Sequence, residues 1–201
     1  VVFDNPSQFP GWKIMPESWY WQQLRAGNIL VMEGSRLVKL NHAVLGGIVA
    51  LIDPRKKPDY KDGKQKFPRD GFMGTVIEQL RKEGKLARYE YGLQSSRFGI
   101  SPNEWEEHLK AAWAEEIGLE PNQVRLEMAI EANVIPQLYT NMPRKNDGQT
   151  STWCWYEEFF KSASRRLIGG RSDDGGLAFV DCDYSDDHWN YNAVRSLGVL
   201  A

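Results

Sequence analysis

Cys154 stands between Trp153 and Trp155 in the run TWCWYEEFF, and it is the first residue of the chain to consider as a nucleophile. A nucleophilic cysteine needs a base that brings it to thiolate, normally a histidine placed beside it in space. His42, His108 and His188 are available, but none lies in a local sequence that marks a catalytic base. The flanking indoles are an apolar setting that disfavours a thiolate. Cys154 therefore reads as a buried structural thiol. Cys182 falls on a separate expected strand; the two thiols could face each other, but spacing alone establishes no bond. Two cysteines supply neither a disulfide framework nor a four-ligand zinc site.

Carboxylates are the second candidate chemistry. Asp181, Asp183, Asp186 and Asp187 offer the oxygen ligands that calcium prefers, but not the twelve-residue spacing of an EF-hand loop. They read as solvated or ligand-facing groups, and no metal or other cofactor is expected. The pairs Gly169-Gly170 and Gly175-Gly176 lack the Lys-Ser/Thr ending of a phosphate loop. Their role is conformational, letting the chain turn or approach another strand closely. The final run DCDYSDDHWNYNAVRSLGVLA is dense in Asp, Tyr, Ser, His and Asn before an apolar finish. Tyr and Trp give contact area at low entropy cost, and Ser and Asn give adaptable hydrogen bonds, as in a paratope. A polar surface loop shares much of that composition, so both readings stand at this point.

These residues must be positioned by a chain of 201 residues, enough for one domain with its own core. Apolar residues at 41% and charged residues at 26% match a folded protein rather than a disordered one. A formal charge of -2 gives no electrostatic reason to expect nucleic acid. No apolar run approaches the roughly 20 residues of a membrane helix. The start shows no basic-then-apolar signal pattern. Nucleic-acid binding and membrane insertion are thus not expected.

Pro16 to Ala26 predicts a short helix stopped by Gly27, and Asn28 to Glu33 a strand followed by a Gly34-Ser35 turn. Asn41 predicts an N-cap for a helix over HAVLGGIVALI, which Gly46 and Gly47 weaken. Pro54 to Asp70 reads as an exposed, charge-balanced loop. Thr75 with Glu78 predicts a capping box for a helix ending at Gly84. The clearest element starts at Ser101, with Pro102 and Glu104 completing its cap. Trp105, Leu109, Ala112, Trp113 and Ile117 share one face of it, and Gly118-Leu119 closes it. Val124 to Val134 alternates like a strand but is built of good helix formers. A loop is expected beyond Pro136, ending near Gln149. Short strands follow at Thr152–Tyr156, Arg166–Ile168, Leu177–Cys182 and Ala193–Leu200. The class is α+β, with helices first and an antiparallel sheet last.

TWCWYEEFF, RRLIGGRSDDGGLAFV and AVRSLGVLA, in this order and spacing, resemble the C-terminal half of the variable proteins of diversity-generating retroelements. Those proteins are similar to the formylglycine-generating-enzyme branch of the C-type lectin fold. Ala193-Val194-Arg195 departs from the usual aromatic-Arg pair. The resemblance covers residues 101–201 well and 1–100 loosely. It implies one C-type lectin-like domain over 1–201, helices packed on a small twisted antiparallel sheet, and a helix within Val124–Val134. It also implies a C-terminal variable region, here 171–192, in which a reverse transcriptase rewrites adenines. AAY codons can then become Asn, Tyr, Asp, His, Ser, Arg, Phe or Cys, among others, but not Trp, Lys, Glu, Gln or Met without a change of the final pyrimidine. Between Arg171 and Asn192 none of those five occurs except Trp189.

The function implied is non-enzymatic binding of a protein or glycan ligand on a cell or host surface, from a virion or cell-surface carrier. The implied ligand-binding positions are Arg171, Asp173, Asp174, Phe179, Asp181, Asp183, Tyr184, His188, Asn190, Tyr191 and Asn192. They are expected to face solvent, with Trp189 anchoring their loop. Trp153, Trp155, the glycine pairs, Val194 and Leu197 are the expected scaffold. The alternatives are an oxidoreductase like the formylglycine-generating enzyme and a calcium-dependent carbohydrate-binding lectin. The enzymes use a cysteine-based copper site, and the cysteines they need in the C-terminal region are not matched here.

Overall fold

The computed structural model describes residues 2–3, 13–45, 48–55, 57–61, 64–65, 69–138, 152–170 and 176–200. After β1 (Val2–Phe3), helix α1 (Ser18–Arg25) buries Tyr20, Trp21 and Leu24 and stops at the left-handed Gly27. The expected strand and turn follow as β2 (Ile29–Glu33) and β3 (Arg36–Lys39), which pair from Leu30↔Lys39 to Glu33↔Arg36.

The helix expected after Asn41 does not form. The segment instead gives β4 (Ala43–Val44) and β5 (Val49–Ile52). Val49, Leu51 and Ile52 find strand partners in the C-terminal run, and a glycine pair in mid-segment costs a helix more than it costs two short strands. The loop expected over 54–70 also proves more ordered. It holds the small hairpin β6 (Tyr60–Lys61) and β7 (Lys64–Gln65), and Lys57, Asp59 and Tyr60 are buried. Lys57 is drawn inward because its Nζ donates to the Gly170 carbonyl at 2.6 Å.

Helix α2 (Gly74–Lys82) starts without a bond from the Thr75 side chain. Asp70 does the work instead, its Oδ1 accepting from the Phe72 and Met73 amides. The Ser101 capping box forms as expected and opens α3 (Pro102–Glu104). A π-helical turn (Trp105–Leu109) carries it into α4 (Lys110–Glu116), with Trp105, Leu109 and Trp113 buried. Gly118 ends the run at φ 70°, its amide bonding Glu115 O while Leu119 N bonds Ala114 O. Only glycine takes that conformation without strain.

Both readings of 124–134 are partly right. β8 (Val124–Leu126) is a strand, and α5 (Ala129–Leu138) is a helix that contains Pro136. Two carboxyl groups from the neighbouring strand enforce the switch. Glu157 accepts the Leu126 amide, and both oxygens of Glu158 lie 3.0 Å from the Ala129 amide at the helix start. The loop expected up to Gln149 lies outside the described residues beyond Leu138.

The main sheet joins C-terminal strands to the β2–β3 hairpin, so the expected order of helices first and sheet last is not kept. β9 (Trp153–Phe160), β10 (Ser162–Gly169) and β11 (Val180–Tyr184) run antiparallel, giving the order β11-β10-β9-β2-β3. β12 (Asn192–Ala193) adds a short parallel pairing to β9, and β13 (Ser196–Leu200) lies between β5 and β8 in a second sheet. The fold is α+β.

Side chains alternate along β9, and the two faces feed two cores. Cys154, Tyr156 and Phe160 pack with Tyr20, Ile29 and Leu167. Trp153 and Trp155 pack with Trp105, Leu109 and Val194. Both tryptophans are therefore scaffold, as expected. Among the described residues no helix is long and apolar enough to cross a membrane.

Candidate functional surface

β11 is an edge strand of the described sheet, paired with β10, and its exit leads into the segment 185–192. Backbone bonds fix this segment at several points. Ser185 N donates to Ser164 O, Asn103 N to Ser185 O, Asn192 N to Trp189 O, and Gly99 N to Asn192 O. Ser185 is buried and its hydroxyl donates to Ala163 O, which pins the turn after β11.

Between those points several side chains project outward, while Tyr191 also packs against both cores. Asp181, Tyr184, Asp186, His188 and Trp189 are exposed, and Asp183, Asp187, Asn190 and Tyr191 are partly so. Trp189 stacks on Tyr191 with ring centroids 5.9 Å apart, and its Nε1 donates to Asp183 at 2.8 Å. Asp187 is held above the usual carboxylate range by burial and by the neighbouring Asp183 carboxylate. The Arg165 guanidinium lies over the Tyr184 ring at 5.3 Å. The surface is therefore aromatic and acidic.

Three expectations need correction. Asn192 is buried, at 1% exposure, and does not face solvent. Parallel pairing with Trp153 and the bond from Gly99 draw it under the loop. Trp189 is 46% exposed, so it is part of the displayed surface rather than its anchor. Phe179 is half-buried, packed edge-on against Trp153 at 4.8 Å. Arg171, Asp173 and Asp174 lie outside the described residues.

The anchors come from outside 171–192, from Tyr60, Tyr89 and Glu104, which the sequence reading leaves out of the site. His188 Nε2 lies 3.0 Å from Glu104 Oε2. Asn190 Nδ2 donates to the Tyr60 hydroxyl at 2.8 Å, and the Tyr89 hydroxyl donates to the Asn190 carbonyl at 2.9 Å. Tyr91, at 53% exposure, packs beside Tyr89 and extends the aromatic face. The only sequence signal was the tyrosine pair in YEY; the partnership across 100 residues had none.

The two thiols are free and lie on strands flanking β10, where Cys154 faces Gly169 and Cys182 faces Leu167. Cys154 is buried, and burial pushes the Cys182 thiol up to about 11. Among the described residues no three His, Cys, Asp or Glu side chains are grouped to hold a metal ion. Compared with known protein families, curated proteins and solved structures, the chain gives no match.

Proposed function

We propose that this chain is a non-enzymatic ligand-binding protein, in which the stretch 181–191 is a diversified recognition surface on a C-type lectin-like scaffold. One observation carries the reading: the loop is held by backbone bonds and by the side chains of Ser185, His188 and Asn190, while Asp181, Tyr184, Asp186 and Trp189 are exposed between those points. A backbone fixed in that way tolerates exchange of its exposed side chains. The residue types between Arg171 and Asn192 support the same reading, since Trp189 alone falls outside those reachable from AAY codons. Tyr184, Trp189 and Tyr191 are suited to anchor a target, and the aspartates to complement its basic or hydrogen-bonding groups. The ligand is a protein or glycan on a cell or host surface. A thiol-based oxidoreductase is the weaker reading, because Cys154 is buried and Cys182 is held as the thiol.

Sequencing the DNA flanking the gene, together with the coding segment for 171–192 across a population, tests the proposal. The expected result is a near-repeat of that segment beside a reverse-transcriptase gene, with substitutions confined to adenines of the repeat. Invariant codons without a near-repeat contradict diversification.

A further inference from the structure

A cavity of about 230 Å³ lies beside the display loop, lined by Arg55, Arg69, Asp70, Ser96, Arg97 and Phe98 among others. Its link to the loop runs through Tyr60. The Phe98 ring packs 5.9 Å from that of Tyr60, whose hydroxyl accepts the bond from Asn190. The guanidiniums are fixed in different ways. Arg97, with 4% side-chain exposure, is clamped by Asp53 and Asp70. Arg55 is 43% exposed, bonds Asp53 at 2.9 Å, and lies over the Phe72 ring at 4.7 Å. Arg69 is exposed and makes no ion pair with the described residues.

Three guanidiniums against the two carboxylates of Asp53 and Asp70 leave one positive charge (3 − 2 = +1). The hydrogen bonds of Arg55 use Nε and Nη2, which leaves Nη1 and the fork of Arg69 as donors. We infer that this cavity is a binding subsite for a small, singly charged carboxylate. A guanidinium fork matches the two oxygens of a carboxylate. The volume falls below the 300–1,000 Å³ or so of drug-sized pockets, which limits the ligand to a small one. A dianion exceeds the single net charge and meets Asp70. None of the three arginines belongs to 171–192, so the subsite is the fixed half of recognition beside an exchangeable half. That role rests on the display reading, whereas carboxylate binding does not.

The experiment is an NMR titration of the isotope-labelled protein with benzoate, neutral benzamide and inorganic phosphate. Benzoate is expected to give saturable amide shifts at 55, 69–72 and 96–98, and to bind at least about tenfold more tightly than benzamide or phosphate. Arg69→Gln spares the Arg55–Arg97–aspartate network and is expected to weaken benzoate severalfold at unchanged melting temperature. Arg55→Gln with Arg69→Gln is expected to abolish binding. Absent or non-saturating shifts, equal benzamide binding, tighter phosphate binding or an unaffected Arg69→Gln protein each overturn the inference. If the population shows adenine-directed variation but benzoate does not bind, only the subsite fails. If benzoate binds while the codons are invariant, only the display reading fails.

Discussion

His188 Nε2 and Glu104 Oε2 lie 3.0 Å apart, so the carboxylate that caps the Ser101 helix also holds the display loop. The same carboxyl accepts the Ser101 amide through Oε2 and the Ala87 amide through Oε1. Glu104 thus ties two segments of the scaffold, its own helix start and the Ala87 segment, to one position of the loop.

The pairing predicts a pH dependence. The bond to Glu104 raises the His188 pKa against its partial burial, with the Glu104 and Asp186 charges adding to the rise. Burial alone would raise Glu104, but His188 and the Ser101 and Ala87 amides outweigh it and lower the pKa. A raised histidine stabilises the fold fully below its unfolded pKa of about 6.5, and the gain disappears as pH climbs through the native value. Its partial exposure keeps the effect small. NMR titration should place His188 above an unfolded-peptide reference, and His188→Gln should remove that part of the stability profile. A normal or lowered His188 pKa contradicts the pairing.

Glu158 predicts a second dependence, of opposite origin. Burial pushes its carboxyl up to about 8, against the bonds from Ala129. An acid with a raised native pKa keeps its proton in the fold where the unfolded chain has lost it. Stability should therefore fall from about pH 4.5 to about pH 8 through this group. Glu158→Gln, which keeps an acceptor for the Ala129 amide, should flatten that fall in denaturant titrations across the range. An unchanged profile contradicts a buried protonated Glu158.

Much of the scaffold was legible because it rests on local rules. The Ser101 cap, the Gly118 stop, the α1 helix and the β2–β3 turn each depend on a few neighbouring residues. The π-helical turn at Trp105–Leu109 left no trace in the spacing, because a single wider turn keeps the same residues inward. β4 and β5 were missed because their strand partners lie far along the chain. The same reason hid Tyr60, Tyr89 and Glu104 from the site. Asn192 was misplaced because residue type suggests exposure, whereas its burial follows from pairing with β9.

The scaffold assignment predicts large losses on β9 and β10. Trp155 is fully buried, and Trp155→Ala should cost about 3–5 kcal/mol in equilibrium unfolding. At Gly169 a methyl group would overlap the Phe179 carbonyl oxygen, a backbone atom that cannot swing aside. Gly169→Ala should destabilise by about 1–3 kcal/mol. Unaltered stability in either variant removes that residue from the scaffold.

The cysteines predict slow native chemistry. At pH 7.5, iodoacetamide should leave Cys154 unmodified in the folded protein and modify Cys182 slowly, since its pKa lies near 11. Both should react promptly in denaturant. Rapid alkylation of native Cys154 would restore it as a nucleophile candidate.

The exchangeability of the displayed side chains is tested most directly by randomising Asp181, Asp183, Tyr184 and Trp189 together and measuring thermal unfolding across the library. Exposed substitutions of up to about 0.5 kcal/mol each sum to about 2 kcal/mol, or roughly 4–8 °C. Most members should unfold cooperatively within that interval of the parent, while selection recovers different members for different targets. A library that is mostly unfolded, with Asn190 and His188 intact, contradicts a loop whose backbone is fixed independently of the side chains it displays.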